Sequence, residues 1–322
     1  MLRIGRVARG LFDPERRLAR SMLRSENSQH KLLVSQQKSG WPGLGYAMGA
    51  ALLFGLNAPL SKVLLEQVEP WMLAGLLFAG GGLGLWVIDC LGWHSRRDRR
   101  VGWQDWRLMT VSIAIGGVIA PLLMVFGIDR TSAAMAALLL NFEAVFTALV
   151  AWLLFGQRLT WQLVGGIATI TAGGIILSSF ASAAVGFSWG AIAILGTCLM
   201  WGLDSNLTHK IADRDPVQVA MLKSGVAGLI NVLIALALGN ALPALPTLAL
   251  TLFLGFIAYG LTLLYFVLAL RHIGAARTGA FFALSPFVGA AIAITLLDEP
   301  LTSNVVLAAG LMAIGVAFCL RK

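Results

Sequence analysis

The sequence predicts an all-α integral membrane protein, with ten transmembrane helices arranged as two inverted five-helix repeats. Three observations lead there. Apolar residues make up 58% of the 322 and charged ones only 12%, with a mean hydropathy of +0.83; soluble domains run near roughly 45–50% and 25%. Ten apolar runs each approach the ~20 residues that a bilayer core requires. A segment of the first run recurs 147 positions later in the sixth, and the five spans of one copy are an odd number, so the second copy starts from the opposite side of the membrane.

In chain order the first five runs cover residues 43–65, 71–92, 106–127, 131–155 and 161–180, and the second five 187–210, 216–238, 247–270, 275–298 and 302–320. Turn and charge signals separate them: Glu69-Pro70, the stretch from Ser95 to Arg100, Asp215-Pro216, Pro243 to Pro246, and Asp298-Glu299-Pro300. The division is a basic tail over 1–42, a first repeat over 43–180 and a second over 187–320. The tail has no apolar core of the length a signal peptide needs. Its spaced Ile4, Val7, Leu11, Leu18 and Met22 leave it open between a solvated tail and a helix lying on anionic lipid.

Charge position sets the orientation. Nine of the 24 basic residues lie in the tail, and 12 more fall on the same side once the spans are threaded, against Lys62 and Arg130 on the other. Lysine and arginine gather on the cytoplasmic side, so both termini are expected in the cytoplasm, with the protein in a bacterial inner membrane. The net charge of +9 is therefore an orientation signal and not a nucleic-acid footprint. Three cysteines, Cys90, Cys198 and Cys319, sit in or beside apolar runs and fit no metal or disulfide spacing.

The repeat is visible residue by residue. Phe54-Gly55-Leu56-Asn57-Ala58-Pro59-Leu60-Ser61 corresponds to Trp201-Gly202-Leu203-Asp204-Ser205-Asn206-Leu207-Thr208, and only Pro59/Asn206 breaks the match in character. A second correspondence, 142 positions apart, pairs Ala133, Leu159, Thr160 and Gly173 with Ala275, Leu301, Thr302 and Gly315.

These stretches, with Asn141-Phe142-Glu143-Ala144-Val145-Phe146-Thr147, Phe155-Gly156-Gln157-Arg158-Leu159-Thr160, Ala283-Leu284-Ser285-Pro286-Phe287 and Asp298-Glu299-Pro300-Leu301-Thr302, resemble the EamA-type members of the drug/metabolite transporter superfamily. The resemblance covers about residues 43–320. It implies a transporter of small organic metabolites, amino-acid-like or drug-like, working as an exporter, with the first and sixth helices beside a central pathway. The chain departs from the family pattern at Ala144, where proline is usual, and at Gln157, where glutamate is usual. The first departure argues against a kink in the fourth helix.

An ionisable side chain costs about 2.5–3.5 kcal/mol at the centre of a membrane helix and marks a candidate site. Lys62, Glu143, Asp204 and Lys223 are the four. Asn57 and Asp204 hold matched places. Each lies on a polar and aromatic face, Ala50, Phe54, Asn57 and Ser61 in one helix and Thr197, Trp201, Asp204 and Thr208 in the other. That face suits a cavity wall or a set of interhelical ties. Glu143 lies mid-span. A carboxyl away from water costs least with its proton on, so Glu143 is a candidate for proton coupling, for contact with a substrate cation, or for a structural pair with Lys62 or Lys223. Lys62 reads as snorkelling to the interface. Lys223 either snorkels or faces the cavity. Tyr259 and Tyr265, with Trp201, are candidates for an aromatic pocket or for helix packing. Tryptophans at 41, 71, 93, 103, 106 and 161 read as an interfacial belt.

No phosphate-binding glycine loop, zinc-protease motif, nucleophile elbow or nucleic-acid module occurs. The expectation is a transporter and not an enzyme, without cofactor or metal, contacting a small-molecule substrate and membrane lipids. The sequence allows a homodimer and does not determine one. The competing class is a membrane enzyme or signalling component on the same helical scaffold.

Overall fold

The computed structural model describes residues 40–92, 99–155, 161–179, 189–211 and 213–320. The tail up to residue 39, and the lipid-surface helix expected there, lie outside these. The described residues are helical, and an isolated bridge between Arg99 and Arg214 is the β-type pairing among them. Seven helices are long and apolar enough to cross a membrane: α1 (Pro42–Leu64), α2 (Pro70–Cys90), α3 (Trp103–Asp129), α4 (Ala133–Leu154), α6 (Trp189–Thr208), α7 (Pro216–Ala237) and α8 (Leu245–Ile273). Three further apolar helices have shorter qualifying stretches: α5 (Trp161–Ser179), α9 (Ser285–Leu296) and α10 (Ser303–Leu320).

Local sequence explains where these helices start and stop. Both α2 and α7 open on a proline at the first helical position, where the missing N–H costs nothing. Asp215 caps α7 by accepting from the N–H groups of Val217 and Gln218 at 3.0 and 3.3 Å. Both helices end on a glycine in the left-handed region, Gly92 (φ 79°) and Gly239 (φ 83°), 147 positions apart. Each glycine N–H donates to the carbonyl three residues back, Asp89 and Leu236, at 3.0 Å.

Irregularities recur in matched places too. A π-helical stretch interrupts α3 at Ile113–Ile119 and α8 at Phe256–Leu261. The chain turns at residues 140–141, within α4, and at 283–284, just before α9. The first of these corrects an expectation, since α4 breaks although Ala144 replaces the usual proline. The cause is Asn141, whose Nδ2 donates to the Leu138 carbonyl at 2.9 Å, while the N–H groups of Leu140, Asn141 and Glu143 reach back only three residues. A side chain that competes for a carbonyl offers the backbone an alternative to the helical ladder. A second difference concerns the end of α8. Helical backbone continues through Phe282, past the boundary expected near residue 270. No proline lies between Arg271 and Phe282 to stop it.

The helices meet through small residues. α2 lies along α7 with numbers running oppositely: Gly75 meets Val232, Ala79 meets Gly228 and Gly82 meets Gly225, and a Cβ on any of Gly75, Gly82 and Gly228 would overlap its neighbour's backbone. α5 and α10 are antiparallel as well. A Cβ on Gly173 would press on the Ala308 carbonyl at 3.0 Å, and one on Gly315 on the Gly166 carbonyl at 2.8 Å. The contacts are reciprocal: Gly173 lies 142 positions before Gly315, and Gly166 142 before Ala308. Large apolar side chains such as Leu83, Trp86 and Leu153 face outward, and Trp103, Trp161 and Trp189 are highly exposed at helix ends, where an interfacial belt would lie.

Candidate functional site

A cavity of about 100 Å³ lies among α1, α2, α3, α4, α6, α7 and the Leu245–Phe282 helix. Its walls are aromatic: Phe54, Phe78, Trp201, Tyr259, Phe266 and Phe282. Its polar groups are Glu143, Asp204, Ser205, Lys223, Ser224 and Thr262. Both π stretches contribute, through Gly116 and Gly117 from α3 and Ala258 and Tyr259 from α8. π-helical turns release backbone carbonyls from the helical ladder and often mark working sites. In α3 such carbonyls are taken by side chains of other helices: the Trp201 indole N–H donates to Gly116 O at 3.0 Å, and Asn231 Nδ2 to Gly117 O at 2.9 Å.

The electrostatic centre is an ion pair. Lys223 Nζ sits 2.8 Å from each Asp204 carboxylate oxygen and donates to Thr208 Oγ1 at 2.7 Å. Asp204 accepts further hydrogen bonds from the hydroxyls of Ser112 and Thr208. Every proton of the ammonium therefore has an acceptor, and the carboxylate is surrounded by donors. The pair is well buried, with side-chain exposures of 5% and 14%. Such a pair contributes little over an apolar substitute, but removing one partner costs about 3–5 kcal/mol. Gly116 permits the approach of Asp204, since a Cβ there would overlap the carboxylate.

The face of α6 singled out in the sequence is turned mainly on α3. Thr197 Oγ1 donates to Ala120 O at 3.2 Å, Trp201 reaches Gly116, and Asp204 reaches Ser112. Only Trp201 and Asp204 of that face also line the cavity. In α1, Asn57 is buried and Oδ1 accepts from Ser61 at 3.0 Å. Its amide faces the Tyr259 hydroxyl, and Nδ2 forms no hydrogen bond of ordinary geometry. Asn57 thus stands behind Tyr259, which is a wall residue. Tyr265 is not a wall residue. It packs on Tyr46, ring centroids 5.6 Å apart, and against Gly49.

Two pairings considered for Glu143 are not made. Lys223 is taken by Asp204, and Lys62 donates to the carbonyls of Ile128, Asp129 and Thr131 at 2.9, 3.2 and 2.9 Å. An ammonium there satisfies carbonyls left over at the end of α3 and offsets the negative end of its dipole. Glu143 faces the cavity with no hydrogen-bond or ionic partner among the described residues. Beyond the turn that Lys62 holds, the Glu299 carboxylate accepts from the N–H groups of Ala133 and Ala134 at 2.7 and 2.9 Å, capping α4 from the other half of the chain. Gln157, its match, lies outside the described residues.

At the end where α3 and α7 begin, Arg214 grips Asp105 bidentately at 2.8 and 2.9 Å. That hydrogen bonding holds the Arg214 guanidinium above its ordinary pKa and keeps it charged. At the other end, Gln67 and Thr247 are joined by one exposed hydrogen bond of 2.9 Å. Sequence reasoning missed Ser112, Ser224 and Thr262, for which no motif exists. The Asp204–Lys223 pair did leave a signal: the residues stand five and seven positions from the facing ends of consecutive helices, and so at similar depth in a helical hairpin.

The EamA-like transporter family matches residues 41–179 and again residues 188–321, and the chain belongs to that family. A transporter of Methanothermobacter thermautotrophicus, described as uncharacterized, is 28% identical over 267 residues, 78% of each chain. The uncharacterized transporter YvbV of Bacillus subtilis is 25% identical, covering 84% of this chain and 88% of its own. The uncharacterized inner membrane transporter YedA of Escherichia coli K12 is 24% identical, covering 85% and 89%. A solved crystal structure, 18% identical, superposes on 86% of this chain and 94% of its own with a TM-score of 0.65, a likeness of fold alone. The protein is a multi-pass integral membrane protein of a transporter family.

Proposed function

We propose that this protein carries a small organic molecule, amino-acid-like or drug-like, through the central cavity by alternating access between two inverted repeats, residues 43–180 and 187–320. Ten spans cross the membrane, with both termini in the cytoplasm, and net movement is outward across a bacterial inner membrane. The observation that carries this reading is a cavity walled by helices of both halves, with Glu143 at mid-span and the Asp204–Lys223 pair nearer one end; transporters of this architecture bind substrate near the midplane between their repeats. The antiparallel packing of α2 on α7 and of α5 on α10 supports inverted halves. Asp204, Ser205, Lys223 and Ser224 lie toward the end where the basic residues gather. That supports a cavity reached from the cytoplasm in this conformation.

Trp201, Asp204, Glu143 and Tyr259 form the substrate wall in this reading, with Asn57 behind Tyr259. Glu143 is the proton-coupling group, since it alone of the wall's carboxyls lacks a partner. Glu143→Gln should abolish flux driven by a pH gradient and preserve exchange of labelled substrate; unchanged pH-driven flux would remove it from that role.

The test of transport compares metabolites in the medium of cells making the wild type or Ser205→Trp at equal membrane levels. The indole would fill the cavity while leaving both Asp204 and Lys223 in the sequence. Compounds enriched outside the cell only with the wild type are expected. Identical media would contradict export through this cavity.

A further inference from the structure

Two hydroxyls of the cavity wall find no partner among the described residues. Ser224 and Thr262 are 1% and 5% exposed, and neither Oγ has a hydrogen-bond partner. Other hydroxyls in these helices behave differently. Thr169, Thr197, Thr251 and Thr295 each return their hydroxyl to the carbonyl four residues back, the usual way to satisfy it inside a helix. Thr262 follows directly on the π stretch of α8, and Ser224 lies on α7. A Cβ placed on Gly81 would touch both Ser224 Oγ, at 3.3 Å, and Gly260 N, at 3.1 Å. The two orphaned hydroxyls line the same cavity from helices that pack on each other, α7 and α8. Buried polar groups are rarely left unpaired, and two on one cavity wall indicate that a ligand completes them.

We infer that Ser224 and Thr262 form a polar subsite for an uncharged oxygen of the transported molecule: a hydroxyl, carbonyl or amide oxygen carried on a flat apolar body. The inference rests on the proposed transport role of the cavity. The ligand group is an oxygen because both hydroxyls can donate to it. It is uncharged because the cavity's one lysine is fully engaged by Asp204 and Thr208, which leaves no free cation to offset a carboxylate away from water. The body is flat and apolar because Phe54, Phe78, Trp201, Phe266 and Phe282 form the remaining wall.

The test uses the purified full chain in detergent and three compounds that share an aromatic body: 2-phenylethanol, ethylbenzene and phenylacetate. Apparent affinities are read from the concentration dependence of thermal stabilisation. The wild type should favour 2-phenylethanol over both others by about tenfold, or about 1.4 kcal/mol. Ser224→Ala/Thr262→Val should bind 2-phenylethanol and ethylbenzene equally, and Ser224→Thr/Thr262→Ser should keep the preference. The first double variant removes only unpartnered hydroxyls, so its unliganded melting should match the wild type. An unchanged preference in Ser224→Ala/Thr262→Val overturns the subsite. So does a wild type that ranks phenylacetate first, or one that treats all three alike, including by binding none. Flux is read separately. Alcohol-selective binding without flux of any compound would remove the transport reading and leave the subsite standing, and flux without selectivity would do the reverse.

Discussion

α1 and α6 carry the same pattern of residues and fold differently. At Pro59 the chain has no N–H to give, and α1 breaks at Leu56 before resuming at Asn57. At the matched position α6 has Asn206, which returns its amide to Gly202 O at 2.8 Å and also reaches Thr147 O at 3.2 Å. Asn206 also keeps the backbone N–H that proline lacks, and α6 runs unbroken from Trp189 to His209. The charged groups divide the same way. Asp204 of α6 meets Lys223 of α7, while Asn57 of α1 has leucines, Leu76 and Leu77, at the corresponding depth of α2. A duplicated helix has become a rigid, ion-paired wall in one half and a broken, neutral one in the other. Asp204 and Lys223 line the cavity and Asn57, Leu76 and Leu77 do not, so the wall is asymmetric although the helices share a residue pattern.

The sharpest way to break this contrast is to unpair α6. Lys223→Met leaves Asp204 buried without a counter-charge and should lower stability by about 3–5 kcal/mol, read as a large fall in melting temperature in detergent. Adding Asp204→Asn should recover most of the loss; if the single variant melts like the wild type, the pair is not a structural anchor. Next comes Asn206→Pro, which gives α6 the break of α1. A proline inside a continuous helix costs about 3 kcal/mol or more, and the same melting assay should show it. A smaller effect is expected at the far end of α1. Lys62→Met strips the carbonyls at the end of α3 of their ammonium and should cost about 1 kcal/mol, less in high salt. Asn57→Leu should be the mildest, below about 1 kcal/mol, because the one bond to Ser61 is lost and an unpartnered amide is removed with it. An Asn57 variant that destabilises as much as Lys223→Met would show that the two helices are anchored alike.

Much of this was legible in the sequence because it depends on strong local signals. The prolines and glycines that start and stop α2 and α7 are visible as Glu69-Pro70, Asp215-Pro216, Gly92 and Gly239, and the Pro59/Asn206 exchange already separates α1 from α6. The break in α4 was hidden, since it comes from a side-chain bond of Asn141 and not from the absent proline. Of the site, Trp201, Asp204, Glu143 and Tyr259 line the cavity, whereas Tyr265 turns to Tyr46. Spacing along one helix says which residues share a face. It does not say which neighbour that face meets, so the α6 face shared between α3 and the cavity could not be read. Ser224 and Thr262 were invisible for the same reason. They matter through a bond they do not make.

The central claim is that the cavity between the halves is a pathway open to water and substrate. Ser205→Cys, in a chain whose three native cysteines are replaced by alanine, tests it most directly. Cells or oriented vesicles would be treated with a membrane-impermeant thiol reagent from either face, and export followed in the same preparation. The expected result is labelling from the cytoplasmic face and loss of export in proportion to labelling. Full labelling with undiminished export, or no labelling from either face, would contradict it.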